Sequence, residues 1–318
     1  MESSRPLNIA LLAGGISAER DVSLKGAKAV KEALIRLGHH VIDYDPREDL
    51  TRLAKEAAGL HCAFLLLHGA FGEDGRVQGF LDMIGLPYQG AGVLGSALAM
   101  DKHLTKVLYE KNGIPTPRWH LIHRENLLRG LDSVCKELDL PLMVKPRSQG
   151  SSIGMGMAKD IHSLEALVKE ALSWDEYVII EEYVQGRELS CGVLEGWGDW
   201  TLPPIEIIPS EEFEFFDYEA KYTPGATEEI CPASIPAGVE RQARKLARKA
   251  HEALLLADYS RTDMILAPSG RLYVIETNTI PGMTETSLLP QEARVAGLEF
   301  HELIAFLLDR ALKKGRFI

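Results

Sequence analysis

The sequence contains no apolar run long enough to cross a bilayer, and no basic-then-apolar leader precedes its first strand-like segment. Its four cysteines, Cys62, Cys135, Cys191 and Cys231, are far apart and form no Cys-x-x-Cys pair. Neither a disulfide framework nor a zinc site is signalled, and a reduced, cytoplasmic setting is the expectation. An excess of positive charge is also missing. The formal net charge of −11 argues against nucleic acid or an anionic membrane as the main partner. The one basic run, Arg241, Arg244, Lys245, Arg248 and Lys249, is interleaved at helical spacing with Val239, Ala243, Leu246, Ala247, Ala250 and Leu254. Those cations form the solvated face of an amphipathic helix.

What is present is ordinary globular protein: 318 residues, 46% hydrophobic and 25% charged, enough for two or three domains. In the first hundred residues, strand-like runs at Leu7–Leu12, His40–Tyr44 and Ala63–Leu67 alternate with helical patterns through Val30 and Leu34 to Gly38, over Leu50–Ala58, and from Arg76 to Ile84. That alternation predicts a doubly wound parallel α/β sheet, with ligands beyond the carboxyl ends of its strands. Two loops leave those ends, Gly14–Arg20 and His68–Gly75. The first lacks the Gly-x-Gly-x-x-Gly fingerprint of a dinucleotide site, which disfavours a nucleotide-dependent oxidoreductase. Glu19 is placed either to receive a ligand's ammonium group or to complement a helix N-terminus. His68 is either a ligand contact or a satisfied core histidine.

Further on, a helix of small residues leads to Met100-Asp101-Lys102, and a second helix, His103–Lys111, ends at Asn112-Gly113. A strand at Leu142–Val144 runs into Lys145-Pro146 and then the Gly/Ser-rich stretch Arg147–Gly156. Backbone N–H groups in such a loop can wrap phosphate oxygens while Lys145 supplies a point charge, although no Gly-Lys-Ser/Thr opens a helix as in a Walker A loop. A mobile hairpin is the alternative. The strand Tyr177–Ile180 continues into Glu181-Glu182-Tyr183-Val184, a polar linker able to hold an adenine edge, and Glu211–Tyr222 reads as a loop or lid. Near the C-terminus, Thr262–Leu266 and Leu272–Thr277 flank Pro268-Ser269-Gly270. A two-residue Ser269-Gly270 loop would pair Asp263 with Glu276 and Arg261 with Asn278. Two carboxylates and an amide oxygen would then share a face, a hard-oxygen set suited to Mg²⁺. Like charges directly opposite on a sheet call for such a counter-ion, whereas a solvated sheet face is the plain alternative.

In this order, a lysine before a Gly/Ser loop, an adenine-type linker and an Asp…Glu-x-Asn hairpin resemble the ATP-grasp superfamily. The resemblance tightens to the D-alanine–D-alanine ligase family through blocks spread over nearly the whole chain. These are Gly-Gly-Ile-Ser-Ala-Glu-Arg at 14–20, His-Gly at 68–69, Gly-Glu-Asp-Gly at 72–75, Met-Asp-Lys at 100–102, Val-Lys-Pro at 144–146 and Gly-Ser-Ser-Ile-Gly at 150–154. Asp-Tyr-Glu-Ala-Lys-Tyr at 217–222, Asn-Thr-Ile-Pro-Gly-Met-Thr at 278–284 and Ser287-Leu288 complete them.

The resemblance implies an α/β architecture in which an N-terminal doubly wound domain (1–100) precedes an ATP-grasp fold of two subdomains (101–187 and 188–318). It implies ATP-dependent joining of two D-alanines through a D-alanyl phosphate, for peptidoglycan precursor synthesis, by a cytoplasmic homodimer. Glu19 would bind the first ammonium, with Ser151 and Tyr222 beside it, and His68 would lie near that substrate's carboxylate. Lys102, Lys145 and Lys221 would grip phosphates under the Ser151–Ser152 backbone. Glu181, Glu182, Tyr183 and Val184 would hold adenine, and Glu188 the ribose. Asp263, Glu276 and Asn278 would hold two Mg²⁺ ions, with Mn²⁺ as a substitute. Arg261 and the Gly282 N–H would face the tetrahedral oxyanion, and Ser287 and Leu288 the second carboxylate. Thr262, Thr277, Ile280 and Glu285-Thr286 depart from the family pattern, and all of them can point away from the metal face. A D-alanine–D-lactate ligase or another ATP-grasp carboxylate–amine ligase is the alternative. Lys221-Tyr222 favours an amine nucleophile, and the intact lysine and metal positions disfavour a non-catalytic ATP sensor.

Overall fold

A computed structural model describes residues 5–150, 153–210 and 227–315. The first sheet is parallel, in the order β2 (His40–Tyr44), β1 (Asn8–Leu12), β3 (Cys62–Leu65). Alternation along its strands divides two cores. Ile9, Leu11, Cys62 and Phe64 face one, with α1 (Arg20–Arg36), while Ala10, Leu12, Ala63 and Leu65 face the other, toward α2 (Leu50–Glu56) and α3 (Arg76–Met83). The predicted doubly wound unit is therefore present. A helix from the far end of the chain covers the first of these faces. Helix α10 (Phe300–Lys313) lays Leu303, Ile304, Leu307, Leu308 and Ala311 into the same core as Ile9 and Phe64.

Helices α4 (Val93–Met100) and α5 (Lys102–Lys111) lead to an antiparallel sheet in the order β4 (Trp119–His123), β7 (Tyr177–Glu182), β5 (Leu142–Pro146), β6 (Gly156–Ala158). Helices α6 (Leu127–Glu137) and α7 (Ile161–Trp174) pack on one face of it. A second antiparallel sheet runs β10 (Thr227–Ile230), β9 (Ile205–Pro209), β8 (Arg187–Leu194), β11 (Tyr259–Leu266), β12 (Leu272–Asn278). Its apolar face, Leu189, Cys191, Val193, Met264, Leu266, Leu272 and Val274, lies against α8 (Ala237–Ala253). The basic residues interleaved along α8 occupy its outer side, and the helix α9 (Leu288–Val295) follows β12. Among the described residues no helix is long and apolar enough to cross a membrane.

The β11–β12 hairpin pairs Asp263 with Glu276 and Arg261 with Asn278, as the sequence suggests, but its tip differs from the two-residue loop expected there. Leu266 pairs with Leu272, the Ala267 carbonyl accepts from the Gly270 N–H at 2.9 Å, and Gly270 takes φ 82°. This is a longer loop than the two-residue turn, closed by a left-handed glycine. The register is restored further along, where Ile275 is an extra residue between the pairs Asp263–Glu276 and Met264–Val274. Such a bulge reverses the parity of the strand. Leu272 and Val274 face α8, whereas Glu276 and Asn278, also even-numbered, face the cleft. Thr277 and Thr262 take the α8 side, as expected. Their hydroxyls lie 3.0 Å apart, and the Tyr109 hydroxyl from α5 is 2.7 Å from that of Thr277.

Two histidines are held neutral inside this framework. His251, on α8, bonds through Nδ1 to the Ser260 hydroxyl at 2.8 Å, and burial pushes its pKa down to about 4. His68 is likewise pushed to about 4, by burial and by the charge of Arg261. Below the free-imidazole value of about 6.5, the unfolded chain takes up protons that the folded histidines refuse until about pH 4. Acid therefore removes stability across that window, at about 1.4 kcal/mol per pH unit for each histidine. His251→Gln is expected to flatten the fall in urea-unfolding free energy between about pH 6.5 and 4; an unchanged slope would exclude His251 as a source.

Candidate active site

The cleft consists of two cavities that share one wall. The larger, about 290 Å³, is lined by Glu19, His68, Glu73, Arg261, Asn278, Gly282, Ser287 and Leu288. The smaller, about 110 Å³, is lined by Lys145, Glu181, Glu182, Tyr183, Val184, Glu188 and Asp263. Lys102, Gln149, Ile275 and Glu276 border both. Every described residue selected from the sequence is thus brought to one of two adjoining spaces. Ser151, Ser152, Lys221, Tyr222 and the 211–222 lid stretch lie outside the described residues.

On the sheet face, Arg261 grips Asp263 through Nε and Nη2 at 2.9 and 2.8 Å. The Ser190 hydroxyl donates to Asp263 at 2.6 Å, and Asn278 Nδ2 donates at 3.0 Å. Burial works against the Arg261 charge, but Asp263 and the carboxylates around it hold that pKa above its ordinary value. Since Asn278 spends its N–H on Asp263, its carbonyl oxygen is left for the cleft. Glu276 makes no side-chain hydrogen bond or ion pair among the described residues. The donor types fit a hard divalent cation. No three His, Cys, Asp or Glu side chains converge on a common point among the described residues. An ion here would thus rest on two carboxylates, an amide oxygen and groups from a ligand.

The N-terminal loops contribute carboxylates. Glu19 stands at the N-cap of α1, yet its side chain caps nothing. The carboxylate lies so close to the Gly69 and Gly150 backbones that a Cβ at either would fall 2.7 Å from Oε2. This favours the ligand-facing alternative over the helix-capping one. Glu73 lies in the block at 72–75, and sequence reasoning gives it no role of its own. It accepts from the Gly69 N–H at 2.8 Å and the Ile280 N–H at 3.2 Å, tying the loop after β3 to the segment after β12. Burial, then the charge of Glu19, pushes its pKa up to about 8. Its presence in Gly72-Glu-Asp-Gly75 beside a ligand loop was the available signal.

The phosphate-type lysines are set by polar locks. Asp101 caps α5 by accepting from the His103 and Leu104 N–H groups, and it also receives Arg147 Nε at 2.8 and 2.9 Å. One carboxylate thus fixes both the helix bearing Lys102 and the start of the Gly/Ser loop. Lys102 Nζ donates to the Gln149 carbonyl within that loop. Lys145 pairs with Glu181, so the Glu181 side chain, placed in the adenine linker by the sequence, is engaged in a buried ion pair.

A Gly-x-Gly-x-x-Gly string does occur elsewhere, at Gly90–Gly95. It borders neither cavity and serves close packing: the Gly90 N–H donates to Asp258 at 2.7 Å, and a Cβ on Gly95 would fall 2.8 Å from the Leu255 carbonyl.

With that geometry in place, two family models match the chain: D-ala D-ala ligase C-terminus over residues 108–309 and D-ala D-ala ligase N-terminus over 42–91. A D-alanine–D-alanine ligase of Desulfotalea psychrophila is 49% identical over 311 residues, 98% of this chain and 96% of the relative. The chain belongs to the D-alanine–D-alanine ligase family. Among solved structures, a D-alanine–D-alanine ligase from Bacillus anthracis complexed with ATP superposes with a TM-score of 0.82 at 31% identity, over 97% of this chain and 98% of that one. A D-Ala:D-Ser ligase from Enterococcus faecalis gives a TM-score of 0.84 at 29% identity, covering 96% of this chain and all, 100%, of that one. The ATP-grasp assignment stands on these likenesses together with the parallel N-terminal sheet and the two antiparallel sheets described above.

One further acidic side chain lies behind Arg261. Glu292, on α9, is fully buried, and a Cβ on Gly192 would fall 2.5 Å from its Oε2. Gly192 is the β8 partner of Arg261. Burial pushes the Glu292 pKa well above the carboxylate range, opposed by the charge of Arg261. Gly192→Ala must therefore displace that carboxyl, Leu289 and Leu202 together. It is expected to cost about 1–3 kcal/mol in denaturant unfolding and to lower turnover. Gly59→Ala, where a Cβ meets nothing within 4 Å, is expected to do neither.

Proposed function

We propose that this chain joins two D-alanine molecules into D-alanyl-D-alanine, using ATP and releasing ADP and phosphate through a D-alanyl phosphate. The observation that carries this reading is the shared wall. An ammonium- and carboxylate-binding cavity meets a lysine-bearing nucleotide cavity at Lys102 and Glu276, where a carboxylate from one side can reach a phosphate from the other. Family membership supports the same reaction, and the likeness to an ATP-bound relative supports the nucleotide.

In this reading Glu19 receives the first substrate's ammonium group, assisted by Ser151 and Tyr222. The neutral imidazole of His68 borders that substrate's carboxylate without trapping it as a salt. Lys102, Lys145 and Lys221 hold phosphate oxygens under the Ser151–Ser152 backbone. Glu181–Val184 and Glu188 take adenine and ribose. Arg261, kept charged by Asp263, and the Gly282 N–H face the developing oxyanion. Ser287 and the Leu288 backbone, at the start of α9, take the second carboxylate. Asp263, Glu276 and the Asn278 oxygen would hold Mg²⁺, which supplies neutralisation of phosphate charge when bound. The acyl phosphate is hydrolysable, so the 211–222 stretch is assigned to water exclusion. Division at residues 100 and 187, a second ion, a homodimer, a cytoplasmic place and a part in peptidoglycan precursor synthesis rest on the family resemblance.

The test supplies Mg-ATP with D-alanine alone and tracks phosphate release together with product mass. Release matched by the dipeptide is expected; no release, or release without dipeptide, overturns the proposal. Parallel reactions with added D-lactate or D-serine resolve the choice of second substrate. Glu276→Ala is expected to lower turnover by at least about a hundredfold, and wild-type turnover in that variant would remove the metal assignment.

A further inference from the structure

Lys106 lies one turn into α5, fully buried, and borders neither cavity. Its Nζ contacts three oxygens: Glu181 Oε2 at 2.6 Å, Thr116 Oγ1 at 2.8 Å and the Pro117 carbonyl at 3.3 Å. The ammonium donates to the Thr116 hydroxyl and the Pro117 carbonyl and is ion-paired with the Glu181 carboxylate, surroundings that suit a protonated lysine. The Trp119 ring, 5.4 Å from Nζ, adds a face that favours a cation. The other oxygen of Glu181 pairs with Lys145, which does line the nucleotide cavity. One buried carboxylate is therefore bridged by two lysines, one facing the ligand space and one behind it.

The charge count gives the arrangement its meaning. Glu181 and Lys145 alone would form a neutral pair, with the Lys145 ammonium spent on its own neighbour. With Lys106 included, two cations share one anion, and the cluster presents a net positive charge to the cavity. In a poorly solvated site that unit of charge governs attraction for phosphate. We propose that Lys106 is a positioning residue of the nucleotide site: it balances Glu181 from behind, leaving the Lys145 charge available to phosphate oxygens. The inference rests on the nucleotide reading given above and assigns a role to a residue that does not touch the ligand. The two lysines hold the Glu181 carboxyl at about 2 against the cost of its burial, while burial pulls the Lys106 ammonium itself below its ordinary value against the attraction of Glu181.

The test compares affinities for ADP and adenosine by calorimetry in the full chain. Both ligands carry adenine and ribose, so their affinity ratio isolates the phosphate contribution. Lys106→Met is expected to weaken ADP by about tenfold while changing adenosine far less, shrinking the ratio. Glu181→Gln is expected to raise the ratio above wild type, because it removes the anion that shares the Lys145 charge. Lys106→Met/Glu181→Gln is expected to return it close to wild type. Equal weakening of both ligands in Lys106→Met would make Lys106 a packing residue and overturn the proposal. If Lys106→Met does not fold by circular dichroism, Glu181→Gln against the double variant decides: an unchanged ratio between them overturns the proposal equally. Wild-type chain that binds neither ADP nor adenosine would instead overturn the nucleotide reading itself.

Discussion

Strand β12 has two duties that a regular strand cannot combine, and the unpaired residue Ile275 reconciles them. Leu272 and Val274 must fill the core against α8, while Glu276 and Asn278 must face the opposite way, into the cleft. All four positions are even-numbered, and in an uninterrupted strand they would share one face. One extra residue reverses the parity, so that apolar and polar halves of a single strand serve opposite sides of the sheet. The reversal also turns Thr277 toward α8. There its hydroxyl needs a partner, and Thr262 and Tyr109 provide it.

Once the strand is turned, the cleft gathers more carboxylate than it could tolerate without cations. Glu19, Glu73, Asp263 and Glu276 all border it. The balancing charges come from three separate parts of the chain: Lys102 at the start of α5, Lys145 on β5, and Arg261 on β11. Glu73 bears the effect of an incomplete balance, with burial and Glu19 driving its proton affinity up. The reaction space is therefore a property of the units in contact, and Glu73, bonded to both Gly69 and Ile280, records that contact in two hydrogen bonds.

The strands of the first sheet, β5, β7, β11 and β12, most helices and the Asp263–Glu276–Asn278 face were legible because each rests on local signals: period, Gly and Pro punctuation, and residue chemistry; β4, β6, β8, β9 and β10 were not read from the sequence. The hairpin shows how local signals reach the right face by an incorrect path. The longer loop at Gly270 and the bulge at Ile275 each shift the register by one residue, and the shifts cancel at the site. Nothing in a residue-by-residue pattern reveals a cancelling pair. Lys106 and Glu292 were illegible for another reason. Each sits in a helix with other charged residues, and only the packing of distant strands and loops buries it. The string Gly90–Gly95 errs in the opposite direction, since it matches a phosphate-binding pattern while its glycines serve backbone packing.

Helix α10 closes the first sheet from the far end of the chain, and this sets the order in which the protein can be completed. Phe64 leaves the ribosome roughly 240 residues, and Ile9 and Leu11 roughly 290 residues, before Leu303–Ala311 arrive to cover them, an interval of order ten to sixty seconds at ~5–20 residues per second. Early in that interval α1 is the main cover of this apolar side, and Leu194, Leu202, Tyr259, Met283 and Leu289 join the same core before α10 arrives. Arg310 and Lys314 then dock on Asp258 and Gly90 at 3.0 and 2.6 Å, which pins the C-terminal end of α10. Helix α10 thus completes a core whose first strands are made long before it.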